Sequence, residues 1–392
     1  MKHRISMFIA GLALLSLALS LSGQNRPPST TVATQAQTQS PAPAAKTAPA
    51  GKPYTQPKTP WGDPDLQGTY TSDDCIGTGM NRAANLGEKR FFTDEELATR
   101  EAAIARQAQN DKQEYVAPNA NVGVGPPGHW GERARRPCRQ TSLVIDPPNG
   151  QTPALTPEAQ ARRGGRGGGA PPAAPAAAAA AAPAPAGGAR GGARGGGGGG
   201  NGNNGPQPAS WEDFSFYIRC ITRGVAGSIL PVIYGNGTQI VQAPGYVTLL
   251  QEMVHEARVI PLDGRPHANP NIKTYMGDSR GHWEGSTLVV ETTNFLPNKT
   301  GIGLNGGGVP TSDALKVTER FTRADATMIN YEMTIDDPKT YSKPWKVGFP
   351  ITQEQSYQNF EYACHEGNYA MFDSLSGARA IEKAQEEAAK KK

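Results

Sequence analysis

Between Gln239 and Pro350 the chain is a succession of short alternating runs: QIVQ, GYVTLLQEM, ARVIPL, STLVVETTNF, LKVTERFTR, MINYEMTID and WKVGFPI. Neighbouring side chains on a strand point to opposite faces, so period-two alternation marks an extended segment with one buried and one wet side. The clearest case sets Ile329, Tyr331, Met333 and Ile335 against Asn330, Glu332 and Thr334. Turn signals such as LDGRP, WEG and DDP separate most of the runs, and short connections favour an antiparallel meander. A meander buries its apolar face by curling. The expected fold is therefore mainly β: an antiparallel barrel or half-barrel, with one N-terminal helix and long disordered segments.

The rest of the chain divides around that stretch. Lys2, His3 and Arg4 precede the apolar run MFIAGLALLSLAL, and Ser20 and Ser22 supply small residues for cleavage, so residues 1–22 read as a signal peptide. The run is shorter than the roughly 20 apolar residues of a membrane span. The expectation is a periplasmic or secreted protein with no membrane span in its mature form. Residues 23–57 are Pro, Ala, Thr, Gln and Ser with almost no large apolar side chain, a composition that stays disordered. Residues 58–155 read as the first part of the β domain. Within them LQGTY looks like a strand, Thr93 and Glu96 have capping-box spacing for a helix over 94–109, and QTSLVID looks like a short strand. Residues 156–208, with GGRGGG and GGARGGARGGGGGG, form a low-complexity insertion. Residues 209–376 hold the antiparallel core, in which WEDFSFYI suggests a helix packing Trp211, Phe214 and Ile218 on the sheet and NFEYAC a last strand. Residues 377–392 are an exposed Ala/Glu/Lys tail.

A net charge of +4, with several arginines in the glycine-rich insertion, gives no reason to expect a nucleic-acid partner. In an oxidising compartment four cysteines suggest two disulfides, and three pairings are possible. Cys220 precedes the first central strand and Cys364 follows the last, so a closing meander favours Cys220–Cys364 together with Cys75–Cys138.

DPDLQGTY, RCITRGVAGS, PVIYGNGTQIVQAPGYV, MGDSRGHWEGSTLVVETTNF, TIDDPKTYSKPW and YACHEGNY together resemble a family of exported bacterial proteins frequent in acidobacterial and proteobacterial genomes. The resemblance implies export and a single domain, and assigns no activity. LQGTY is also similar to the Gly-x-Trp opening of lipocalins, with Tyr70 where their Trp stands.

Several residues are candidates for chemistry. Glu319 falls on the same face as Leu315, Val317 and Phe321, where a lone carboxylate costs several kcal/mol. It is either a general acid or ligand contact, or one half of an internal ion pair with Arg258 or Arg280. His255 is either a lining residue of a long strand or lies on the rim of a hairpin; the run Gly245–Leu262 is long for one strand, which favours the hairpin. Two turns, LDGRPH and GDSRGHWEG, gather Asp263, Arg265, His267, Asp278, Arg280, His282, Trp283 and Glu284. Arginines there suit an anion, whereas the absence of HExxH or similar spacing leaves no metal assignment. No cofactor is implied. Two functions follow as expectations. One is binding of a small apolar or amphipathic ligand in the interior or mouth, with Tyr246, Arg265, Arg280, Trp283 and Glu319 as contacts. The other is a periplasmic hydrolase or isomerase using His255, His282 and Glu319 with an arginine at the mouth; a structural surface component is a third possibility.

Overall fold

The computed structural model describes residues 54–110, 132, 134–164 and 208–391. The proposed signal peptide, most of the proposed linker and most of the glycine-rich insertion lie outside them. The described chain is an antiparallel sheet nearly closed into a barrel. Its strands are β1 (Gly68–Thr71), β2 (Val144–Asp146), β3 (Thr238–Ala243), β4 (Tyr246–Gln251), β5 (Ala257–Pro261), β6 (Asp278–Glu284), β7 (Thr287–Thr293), β8 (Lys316–Arg323), β9 (Met328–Asp336) and β10 (Trp345–Gln353). They follow one another around the sheet in the order β5-β4-β3-β1-β10-β9-β8-β7-β6, with β2 paired to β10 on the side.

The strand count explains why the ring stops short of a continuous ladder. Directions alternate along an antiparallel path, so only an even number of strands brings the two ends together antiparallel. Nine strands leave β5 and β6 running the same way. Residues 262–277 carry the chain back between them, and the two edges meet through side chains. A Cβ on Gly281 would come within 2.7 Å of Leu262 and 2.8 Å of Ile260, so this position on β6 has room only for glycine.

The interior is filled. Val247, Leu249, Ile260, Leu288, Val290, Val317, Met333, Ile335 and Val347 are fully buried, and around them burial alternates along β8 and β9 as the periodicity predicts. Phe321, Tyr331 and Phe349 stand directly opposite one another on β8, β9 and β10, with ring centroids 5.0 and 5.3 Å apart. Cross-strand aromatic pairs of this kind fix register as well as burying area.

Helix α1 (Asp94–Asn110) begins as its sequence dictates: the Glu96 N–H donates to Thr93 Oγ1 at 3.3 Å and the Thr93 N–H to Glu96 Oε2 at 2.7 Å, with Asp94, Glu95 and Glu96 in the first turn. Helix α2 (Pro157–Gly164) occupies the start of the segment read as insertion; it is held by the buried Ala159 and by Arg162, which donates to Thr340 Oγ1 at 2.8 Å. The helix expected around Trp211 is instead a single turn, Trp211–Asp213, with Trp211 49% exposed. Arg219 caps that indole face at 4.3 Å, which satisfies the ring without burying it.

The buried helix of this region is α3 (Gly224–Ile229), all six residues of which are inside. Its backbone lies against the glycine run 301–308. A Cβ on Gly227 would reach 2.1 Å from the Gly306 nitrogen, a contact no side chain tolerates. NFEYAC forms no strand. It lies across the end of the β3–β4 hairpin, where Asn359 and Glu252 crowd Gly237 and the ladder partners are already taken. Helix α4 (Tyr369–Lys390) closes the described chain. Cys75 is bonded to Cys138 and Cys220 to Cys364, the two pairings favoured on sequence.

Candidate functional site

Glu319, the sharpest sequence anomaly, is fully buried and fully engaged. Arg258 on β5 reaches across the barrel and grips it with two bonds, Nη1 to Oε2 at 2.6 Å and Nη2 to Oε1 at 2.9 Å, while the Tyr331 hydroxyl donates to Oε1 at 2.9 Å. Burial, and then the negative charge of Glu319, push the Tyr331 phenol well above its ordinary value. The group is an internal strut between β5 and the β8–β9 pair. Its carboxylate is fully buried, out of reach of a ligand in solution.

The remaining sequence candidates are spread over the barrel. His255 is exposed on the β4–β5 connection, as the hairpin reading has it. His282 is exposed on β6, 3.3 Å from Glu284, which Arg320 also contacts at 2.8 Å. Gly281 sits beside Ile260 and Leu262, so His282 is level with the far end of β5. At the rise of a strand that separates it from His255 by roughly 15 Å along the barrel. Arg265 folds back on Asp263 and donates to the Tyr246 hydroxyl at 3.1 Å, an exposed cluster at the His282 end. Arg280 is spent on Asp278 at 2.7 Å and on the Pro266 carbonyl at 3.0 Å; His267 is 3.0 Å from the same Asp278. Burial raises the Asp278 carboxyl, but the Ala268 N–H, His267 and Arg280 outweigh it and hold it below the usual range. Trp283 packs on the edge of the core. The structure therefore does not bring His255, His282 and Glu319 together; of the proposed ligand contacts it gathers Tyr246, Arg265 and Arg280 at the 263–267 turn and leaves Glu319 in the packed interior.

Residues 277–281 spell Gly-Asp-Ser-Arg-Gly, the spacing of a serine nucleophile elbow. That motif requires a strand-to-helix turn, and here Ser279 lies within β6, 7% exposed, with its hydroxyl 2.9 Å from that of Thr292. It is a cross-strand hydroxyl pair.

A denser constellation lies where β3 begins, β4 ends and β5 begins. Arg223, the residue preceding α3, is 1% exposed and donates through Nη1 to the Gly235 carbonyl at 2.8 Å. Its Nε and Nη2 have no hydrogen-bond partner, and it belongs to no ion pair among the described residues. Around it stand Tyr217, whose ring centroid is 5.9 Å from its guanidinium carbon, and Tyr234 and Tyr362, whose rings lie parallel at 6.4 Å. The Tyr217 and Tyr234 hydroxyls share a hydrogen bond of 2.6 Å; burial, then that bond, drive the Tyr217 phenol above its ordinary value, so it stays protonated. Disulfide Cys220–Cys364 ties the segment bearing Tyr362 to the segment bearing Tyr217 and Arg223.

Carboxyl groups surround this cluster. Glu132 Oε1 accepts from the Gly235 N–H at 2.8 Å, and Asn236 Nδ2 bridges Glu132 and Asp73 at 2.9 and 2.8 Å. Burial and the neighbouring Asp73 push the Glu132 carboxyl up to about 8. Glu256 accepts from Thr222 at 2.6 Å, and Glu252 from Tyr357. No group of three or more His, Cys, Asp or Glu among the described residues is arranged to hold a metal ion. Val254, buried between Tyr217 and Met253, has φ +64°. A β-branched residue in that region costs about 1–3 kcal/mol, strain of the kind that collects at functional sites.

Glu132 makes stability here depend on pH. Its folded value near 8 exceeds its ordinary value of 4.5, so the folded state holds the proton more tightly. Its stabilising contribution is complete below about 4.5, is lost as pH rises toward 8, and is level above that. Glu132→Gln should remove that slope. Relative to the variant, the native protein should lose on the order of a few kcal/mol between pH 5 and 8 in urea titrations; parallel pH curves would contradict the protonated assignment.

Of this constellation only the Cys220–Cys364 pair stood out in the sequence. Arg223 lay in RCITRGVAG, where nothing local distinguishes a buried guanidinium from a loop arginine. No protein-family model matches the chain, and no curated protein or solved structure matches it either.

Proposed function

We propose that this is an exported binding protein and that it takes a small amphipathic ligand at the tyrosine-lined end of the barrel. The observation that carries this reading is the buried Arg223 guanidinium, with two donors unpartnered, set among Tyr217, Tyr234 and Tyr362. Native proteins pair their buried polar groups, so a charged group left short of partners marks a place built for another molecule. The strained Val254 and the apolar Met253 beside Tyr217 add to it. The packed interior argues against a ligand inside the barrel. Export is supported by the sequence of residues 1–22 and by two disulfides, which persist in oxidising compartments. Among the described residues no helix is long and apolar enough to cross a membrane.

The hydrolase or isomerase reading keeps one specific support, the Asp73–Glu132 carboxyl pair, since a carboxyl whose proton affinity is raised beside a second carboxyl suits acid–base work. Arg223 favours binding, because its free donors explain recognition without any reacting bond. A neutral aromatic dye, N-phenyl-1-naphthylamine, tests this. Its fluorescence should rise with the native protein and with Trp283→Phe, and the rise should be lost in Tyr234→Ala/Tyr362→Ala. An undiminished rise in the double variant would refute the assignment of this end.

A further inference from the structure

We infer that the ligand taken at this end is a carboxylate, held by two parallel hydrogen bonds from one edge of Arg223. This rests on the reading of the tyrosine-lined end as the binding site and names the chemistry it selects. A guanidinium presents two kinds of paired donors: the end formed by both terminal nitrogens, and the side formed by Nε with Nη2. Arg258 shows the first in use, both terminal nitrogens on Glu319. Arg223 has its Nη1 committed to the Gly235 carbonyl, and what remains is the side edge, Nε and Nη2, both unpartnered. Those two N–H bonds are parallel and spaced to match the two oxygens of a planar carboxylate.

Charge points the same way. The groups whose fields reach the Arg223 side chain are Tyr217, Tyr234, Tyr362 and Glu132. Tyr217 and Tyr362 are pushed toward their neutral forms by burial, and Glu132 keeps its proton at neutral pH through burial and Asp73. Among the described residues no carboxylate is hydrogen-bonded to the guanidinium. One negative charge balances it. A dianionic phosphate would add excess charge beside the carboxyls of Asp73, Glu252 and Glu256, all of which lie around the same end. The parallel rings of Tyr234 and Tyr362 supply an aromatic surface for the remainder of such a ligand.

Calorimetric titration of the full mature chain with 3-phenylpropionate, its neutral amide and phenyl phosphate tests the inference. The carboxylate should bind about tenfold or more tightly than the amide, since charge-assisted bonds exceed neutral ones by that margin. It should also outbind phenyl phosphate. Arg223→Lys keeps the charge and removes the fork, and should weaken carboxylate binding, lowering the preference over amide without abolishing it. Equal binding of amide and carboxylate, no binding of the carboxylate, or tighter phenyl phosphate would each overturn the carboxylate assignment. If Arg223→Lys does not fold, the three-ligand comparison on the native protein decides alone. Failure of the underlying reading looks different: the dye rise would then persist without Tyr234 and Tyr362.

Discussion

Arg258→Met alone should cost about 3–5 kcal/mol of folding free energy, because it leaves Glu319 charged, fully buried and held only by the Tyr331 hydroxyl. The triple variant Arg258→Met/Glu319→Leu/Tyr331→Phe should regain most of that loss. Replacing a buried ion pair by apolar side chains of similar volume is often neutral or stabilising, whereas orphaning one partner is not. Urea unfolding of the native, single and triple forms separates the two effects. A single variant within about 1 kcal/mol of native would mean that Glu319 sheds its charge or finds water, and that the strut reading is wrong.

The second large effect belongs to the bond between Cys220 and Cys364, which spans 144 residues. Cys220→Ser/Cys364→Ser should lower stability by about 3–5 kcal/mol, as expected for a crosslink that closes so long a loop. Loss of the Cys75–Cys138 bond, which spans 63 residues, should cost roughly 0.7 kcal/mol less, because loop entropy grows only with the logarithm of length. The longer bond has a local consequence that the shorter lacks. It anchors residues 354–364, including Tyr362, against the segment carrying Arg223. Removing it should weaken dye binding as well as stability, whereas Cys75→Ser/Cys138→Ser should leave dye affinity nearly unchanged. Equal dye affinity in both pairs of variants would detach Tyr362 from the site.

Strand identity was legible wherever one face is wet. In β8 and β9 every second residue is buried, so the pattern Leu-Lys-Val-Thr-Glu-Arg-Phe and its successor declare both faces, including the anomaly at Glu319. The ion pair with Arg258 was one of two partners open on sequence, because periodicity gives the face of a residue and not which distant strand lies opposite. The hairpin at His255 followed from the length of the run. Cys220–Cys364 followed from where those cysteines flank the meander, and Cys75–Cys138 was the pair that remained.

What stayed hidden depends on tertiary placement. The odd number of strands on the closing path, and hence the side-chain seam at Gly281, cannot be counted before β1 is known to insert between β3 and β10. NFEYAC alternates like a strand, yet a strand exists only where a ladder partner is free. Arg223 was the largest omission. It is buried by α3, by the glycine run packed on α3 and by a segment about 140 residues later, none of which its neighbours in sequence announce.

The central claim is that function resides at the Arg223 end while the barrel interior is solid. Hydrogen–deuterium exchange of the native protein with and without N-phenyl-1-naphthylamine measures this most directly. Protection confined to residues 215–237, 252–257 and 357–364 is the expected result. Protection instead over residues 243–246, 262–266 and 282–286, or along the inner strands β8 and β9, would contradict it.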